Sequence, residues 1–192
     1  MSSRFSLPIL SILLVLALGF AGWRATSFTF DDSGKIWVEG TSTVHDWDCQ
    51  VGQFAGTLDA DVSDEGLVAL SGTSVTVPVQ GIDCDNGTMN GKARSALGNS
   101  PIRFKLSKAQ IGAPGADGWF PVTTTGQLTI SGTTKTVQIP VKAKALDGGR
   151  FRFTGKHALL MTDYGMDPPT ALLGTLKTGD EITVHFDVTV SR

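Results

Sequence analysis

Hydrophobic positions in this chain recur at every second residue. In residues 128–141 (LTISGTTKTVQIPV), Leu128 and Ile130 alternate with Thr129 and Ser131. Gly132-Thr133-Thr134-Lys135 breaks the rhythm, and Val137, Ile139 and Val141 resume it. The pattern predicts two antiparallel strands, apolar on one face and joined by a short Gly-containing turn. Residues 36–39 predict a short strand. Residues 49–62 carry Val51, Phe54 and Leu58 with Gly52 and Gly56 between them, and predict one long, bent or bulged strand. Further strands follow over 67–79, 102–111, 119–130, 136–146 and 150–161. The last, over 181–190, places Ile182, Val184, Phe186, Val188 and Val190 on one face and Glu181, Thr183, His185, Asp187 and Thr189 on the other.

Two connections lack this alternation. Residues 86–100 predict a short helix through 89–97, and residues 167–178 a second around 170–176. No repeat, linker or internal boundary interrupts the chain, so the expectation is a single all-β domain. A sandwich and a barrel share such a pattern. Long strands, glycines within strands and the lack of an obvious edge favour an antiparallel barrel of about eight strands. That width is filled by side chains or holds one slender ligand.

The first residues read as an address. Arg4 precedes an apolar run over residues 7–20, and Gly19 and Ala21 fit a small-x-small cleavage site. This predicts a secretory signal peptide over 1–21, with cleavage between 21 and 25. About 14 apolar residues fall short of the roughly 20 that span a bilayer, so no stable membrane anchor is expected after cleavage. The protein is expected to be periplasmic or secreted. Cys49 and Cys84 are the only cysteines. In an oxidising compartment, with no C-x-x-C and no Cys/His cluster nearby, they predict a structural disulfide. Closing that loop stabilises by roughly 4 kcal/mol in the chain-entropy model. A net charge of −2 gives no electrostatic case for binding nucleic acid.

Catalytic chemistry finds little support. Ser42, His45 and Asp46 invite a triad reading, yet near neighbours on one loop rarely form an oriented nucleophile–base–acid chain. G-x-S-x-G, H-E-x-x-H, P-loop and G-x-G-x-x-G motifs are all absent from the sequence. The run Asp83-Cys84-Asp85-Asn86-Gly87 is one residue short of a calcium-loop spacing and lacks the bidentate Glu, so it reads as a turn. No enzyme, metal or cofactor is expected.

Several segments carry a resemblance beyond alternation: GTSTVHDWDCQVGQFAGTL (40–58), MNGKARSALGNSPIRFKL (89–106), GQLTISGTTKTVQIPV (126–141), FTGKHALLMTDYGMDPP (153–169) and GDEITVHFDV (179–188). In order and spacing they resemble the YceI family, exported lipocalin-like proteins associated with binding long polyisoprenoid lipids. The resemblance covers nearly all of residues 26–192 and implies a barrel with a hydrophobic cavity. It implies a long-chain apolar lipid as partner, with an isoprenoid quinone or alcohol the leading candidate. A homodimer stays open.

Strand parity supplies the candidate cavity residues: Phe54, Phe104, Leu106, Leu128, Phe153, Leu159, Met161 and Phe186, with Phe151, Trp37, Trp47 and Trp119 in the same apolar set. His157 shares this parity, and His185 opposes it. Tyr164, Met166, Leu172 and Leu173 lie where a Pro-rich connection would fold over a barrel mouth, and Met packs adaptably against an irregular chain. Burying one five-carbon isoprene unit yields roughly 3–4 kcal/mol at about 0.8 per CH₂. Association costs about 4–15 kcal/mol. Several units are therefore needed for tight binding, and an unpatterned tunnel selects for chain length.

Overall fold

The computed structural model describes residues 24–63 and 66–192; the signal peptide expected over 1–21 lies outside them. The strands are β1 (Arg24–Phe30), β2 (Lys35–Ser42), β3 (Trp47–Val51), β4 (Ala55–Ser63), β5 (Gly66–Val77) and β6 (Ile82–Asp83). One α-helix, α1 (Gly87–Leu97), precedes β7 (Ile102–Ile111), β8 (Trp119–Ile130), β9 (Thr133–Leu146) and β10 (Arg150–Leu160). A two-residue β11 (Thr170–Ala171) and the long β12 (Leu176–Ser191) complete the chain.

Eight strands close on themselves in the order β1-β4-β5-β7-β8-β9-β10-β12, and β12 returns to β1 through Thr29↔Ser191 and Phe30↔Val190. All these pairings are antiparallel, so the fold is the anticipated barrel. β12 forks. Its final residues meet β1, whereas the stretch from Thr178 to Asp187 pairs with β2, which carries β3 and then β6. The rim therefore has an extra panel, β2-β3-β6, continued by α1.

Local chemistry explains the joints. β8 and β9 turn through Ser131 and Gly132, both at positive φ (49° and 80°), which suits a two-residue hairpin. The turn is thus tighter than the sequence break suggests, and Thr133, Thr134 and Lys135 belong to β9. Asn86 caps α1, its Oδ1 accepting from the N–H groups of Thr88 (2.9 Å) and Met89 (3.1 Å). Gly98, at φ 70°, ends the helix, its N–H donating to the Arg94 carbonyl. On β7, a bulge between Leu106 and Lys108 shifts parity, so Phe104 and Leu106 point inward above it and Ala109 and Ile111 below it. The β9–β10 ladder stops at Gly155↔Val141. The next β9 position is Pro140, which has no N–H to offer, and a seam opens there.

The structure differs from the expectations in five places. Residues 49–62 form two strands with different neighbours: β3 lies beside β2 and β4 beside β1, the break falling at Gly52-Gln53-Phe54. β1 was not anticipated, and β12 begins five residues earlier than 181. The predicted second helix is a single 3₁₀ turn, Leu172–Gly174, between β11 and β12; Leu173 and Gly174 adopt left-handed φ of 55° and 86°, which no helix continues. Trp37 and Trp119 face outward: Trp37 stacks on His185 with ring centroids 4.9 Å apart, and Lys144 and Arg152 lie over Trp119.

One end of the barrel is solid. Phe28, Leu58, Ala60, Val122, Ala143, Phe151 and Val190 are all at most 5 % exposed there. The interior is different toward the other end.

Candidate functional site

Inward-facing residues beyond that plug, among them Ile139, Val184 and Phe186, are only partly buried although they point away from solvent. They border a cavity of about 620 Å³ that runs from Phe30, Leu58 and Val188 near the closed end to the rim around Ser42 and Thr178. This volume lies within the usual range of small-molecule sites.

The sequence-predicted residues fall into three groups. Phe54, Phe104, Leu106, Leu128, Phe153, Phe186, Met161 and Met166 all border the cavity. Leu159 and Tyr164 do not. They are 7 % and 2 % exposed and pack with Ile130, Met161 and Met166 into a cluster beside the seam. Tyr164 also lies beneath Lys135, which pairs with Asp163 at 2.8 Å, so this cluster fastens the segment after β10 to β9. The side chain of Leu172 lies outside the described residues. Phe151 belongs to the plug, and Leu173 is fully exposed at the tip of the β11–β12 connection.

Cys49 and Cys84 are disulfide-bonded and both border the cavity, so the staple is part of its wall. Trp47 also lines it. Its ring lies so close over Gly40 that a Cβ there would stand 2.3 Å away, and its Nε1–H donates to the Thr41 carbonyl at 3.0 Å.

Part of the lining that sequence reasoning missed comes from α1. Met89, Ala93 and Leu97 recur at four-residue intervals and face the cavity between β6 and β7. That i, i+4 stripe was the available signal. Val38, Val75 and Val77 also line it.

Polar groups gather at the rim: Ser42, His45, Asn86, Thr88, Lys92 and Lys177. The 167–178 connection forms part of this edge and is fastened. Lys92 Nζ donates to the Thr170 carbonyl. The Thr43 N–H donates to the Lys177 carbonyl (3.0 Å), and the Lys177 N–H donates to Thr43 Oγ1 (3.2 Å). The two flanks of this connection are tied together: Asp180 accepts from both the backbone N–H (2.9 Å) and hydroxyl (2.6 Å) of Thr162, which lowers its pKa.

The suspected catalytic grouping is a turn. Ser42 Oγ donates to the His45 carbonyl (2.7 Å) and accepts from the N–H groups of Val44 and His45, while His45 Nδ1 faces the Asp46 carbonyl oxygen. Hydroxyl and imidazole do not meet. Asp83 likewise serves the chain, its Oδ1 accepting from Asp85 N–H (3.1 Å) and Asn90 Nδ2 (2.8 Å). Those bonds hold its carboxyl below the usual range.

Fold and site together define a lipocalin-like barrel: a closed antiparallel ring around an apolar cavity with a polar rim at one end. The YceI-like domain model matches residues 25–190, and the chain belongs to that family. No curated protein matches it in sequence. Among solved structures it is similar to BcnA of Burkholderia cenocepacia, at 17 % identity and TM-score 0.63, covering 82 % of this chain and 96 % of that one. A polyisoprenoid binding domain from Saccharophagus degradans, implicated in plant cell wall breakdown, gives 10 % identity and TM-score 0.64 over 88 % of this chain and 99 % of that one. The Campylobacter jejuni YCEI protein gives 15 % identity and TM-score 0.54 over 75 % and 84 %. At these identities the likeness is one of fold.

Proposed function

We propose that this protein is an exported binding protein that sequesters or carries a long apolar lipid of isoprenoid type in its barrel. The observation that carries the reading is the continuous cavity of about 620 Å³, walled mostly by apolar side chains, with its charged side chains at the rim. Such a space is costly to fill with water and favourable to fill with hydrocarbon. The polyisoprenoid binding domain that shares the fold supports the ligand class. The Cys49–Cys84 disulfide supports export, as does the apolar leader over 1–21.

The mechanism is passive. At roughly 3–4 kcal/mol per five-carbon unit, several units must be buried to outweigh the cost of association, so affinity rises with chain length. Release proceeds through displacement of the 167–178 connection, whose ties to Lys92 and Thr43 break first. The test is solvent extraction of protein purified from its native compartment, with mass spectrometry of the extract, followed by titration of delipidated protein with an isoprenoid quinone and a polyprenyl alcohol. A chain-length-dependent affinity is expected. Protein that carries no lipid and takes up neither probe refutes the reading.

A further inference from the structure

Three polar side chains, Thr73, Thr124 and His157, interrupt the apolar lining away from the rim, and Thr73 is satisfied by the Gly72 carbonyl. His157 projects from β10 into the cavity, directly across from Val184 of β12. Extending the β9–β10 register past Gly155↔Val141 sets it opposite Ile139, which pairs in turn with Thr124 of β8. Thr124 is satisfied, its Oγ1 donating to the Ile139 carbonyl at 2.9 Å. Among the described residues His157 has no hydrogen-bond partner. The seam explains why: past Pro140 the β9 backbone no longer pairs with β10. A half-buried imidazole with two unmatched nitrogens in a hydrocarbon-lined space is a cost that leucine would avoid. A ligand can remove that cost.

We infer that His157 is the specificity contact of the cavity, bonding an uncharged oxygen, a hydroxyl or a carbonyl, carried by the otherwise apolar lipid. This rests on the lipid-binding reading and narrows its ligand class: a bare hydrocarbon leaves the ring unmatched. The setting favours an uncharged group, because Val184 stands opposite His157, Ile139, Phe186 and Met161 line the same cavity, and the lining lysines, Lys92 and Lys177, stand at the rim. Burial also lowers the pKa of His157. The neutral ring offers one donor and one acceptor, which suits a hydroxyl or carbonyl.

The test compares a long polyprenyl alcohol with the polyprenyl hydrocarbon of equal chain length, each titrated into the delipidated protein. The wild type is expected to prefer the alcohol by about tenfold, the worth of one well-made buried hydrogen bond. His157→Leu should bring the ratio to about one by weakening the alcohol alone, and His157→Gln should recover part of it. The imidazole ¹⁵N signals of His157 should shift with the alcohol and not with the hydrocarbon. The unfolding midpoint of His157→Leu should equal or exceed that of the wild type. An unchanged preference in His157→Leu overturns the assignment while leaving the lipid-binding reading intact. Loss of both ligands together with a lowered midpoint shows a structural role and also overturns it. A wild type that binds neither probe overturns both readings.

Discussion

Gly155 offers a quantitative test of how the cavity is held open. It lies on β10 directly across from Phe186, whose ring rests on the bare backbone and borders the cavity. A Cβ at this position would stand 2.5 Å from Phe186 Cζ, 3.0 Å from its Cε1 and 2.8 Å from the Pro140 carbonyl oxygen. Ordinary contact needs about 3.5–4.0 Å, so in Gly155→Ala the ring must move by about 1 Å. The Pro140 oxygen is backbone and yields little, and the free direction for the ring is inward. Overpacking of this kind costs about 1–3 kcal/mol. Replacing glycine within a strand returns about 0.5–1 kcal/mol, leaving a net loss of up to about 2.5 kcal/mol. For a domain of this size the thermal midpoint should fall by up to about 10 °C. Affinity for a polyprenyl alcohol should weaken as the ring occupies ligand space. Adding Phe186→Leu to Gly155→Ala should recover most of both losses. Calorimetry with a binding titration reads the outcome. A raised midpoint with unchanged affinity in Gly155→Ala would refute the reasoning, because it would mean the ring has somewhere else to go.

Three further outcomes are expected. Cys49→Ala/Cys84→Ala should lower unfolding free energy in urea by about 4 kcal/mol, since the bond spans a separation of 35 residues. Lys92→Met keeps the apolar stem but removes the donor to the Thr170 carbonyl, so stopped-flow should show faster lipid release with an unchanged unfolding midpoint. Arg152 donates from Nε to Asp187 at 2.7 Å and from a second nitrogen as well, holding that carboxyl below its ordinary 3.8. The unfolded chain takes up the proton first, so this stabilisation is complete above about pH 4 and lost as pH falls through the depressed value. Asp187→Asn should therefore flatten the acid limb of the stability curve and leave its slope near neutrality unchanged.

Much of the ring was legible because one-sided burial imposes a period of two, and strands such as β8, β10 and β12 keep it over long runs. The failures share a physical origin. Alternation reports which side a residue faces, not which strand lies beside it. The change of neighbour at Gly52-Gln53-Phe54 was therefore invisible, and 49–62 read as one element. Trp37 sits on a strand with few positions to set its parity, and its size suggested burial. It instead covers His185 outside, while Glu39 accepts its Nε1–H. The inward parity of Phe104, Leu128 and Phe186 was readable, but a plugged barrel and a hollow one share that parity. Only the packing of the plug, built on Phe28 and Phe151 with ring centroids 5.5 Å apart, shows where filling stops. His157 had the inward parity and no apolar character, a mismatch that sequence exposed but could not interpret.

The fork in β12 divides the molecule mechanically. The closed hoop holds itself through β1, whereas the β2-β3-β6 panel hangs from a separate stretch of the same strand and is cross-linked internally by Cys49–Cys84. The doorway and the foundation thus rest on different bonds, while the loop that the disulfide closes runs through β4 and β5 of the hoop. A cell compartment that breaks this bond would be expected to slacken the mouth and weaken the whole vessel together.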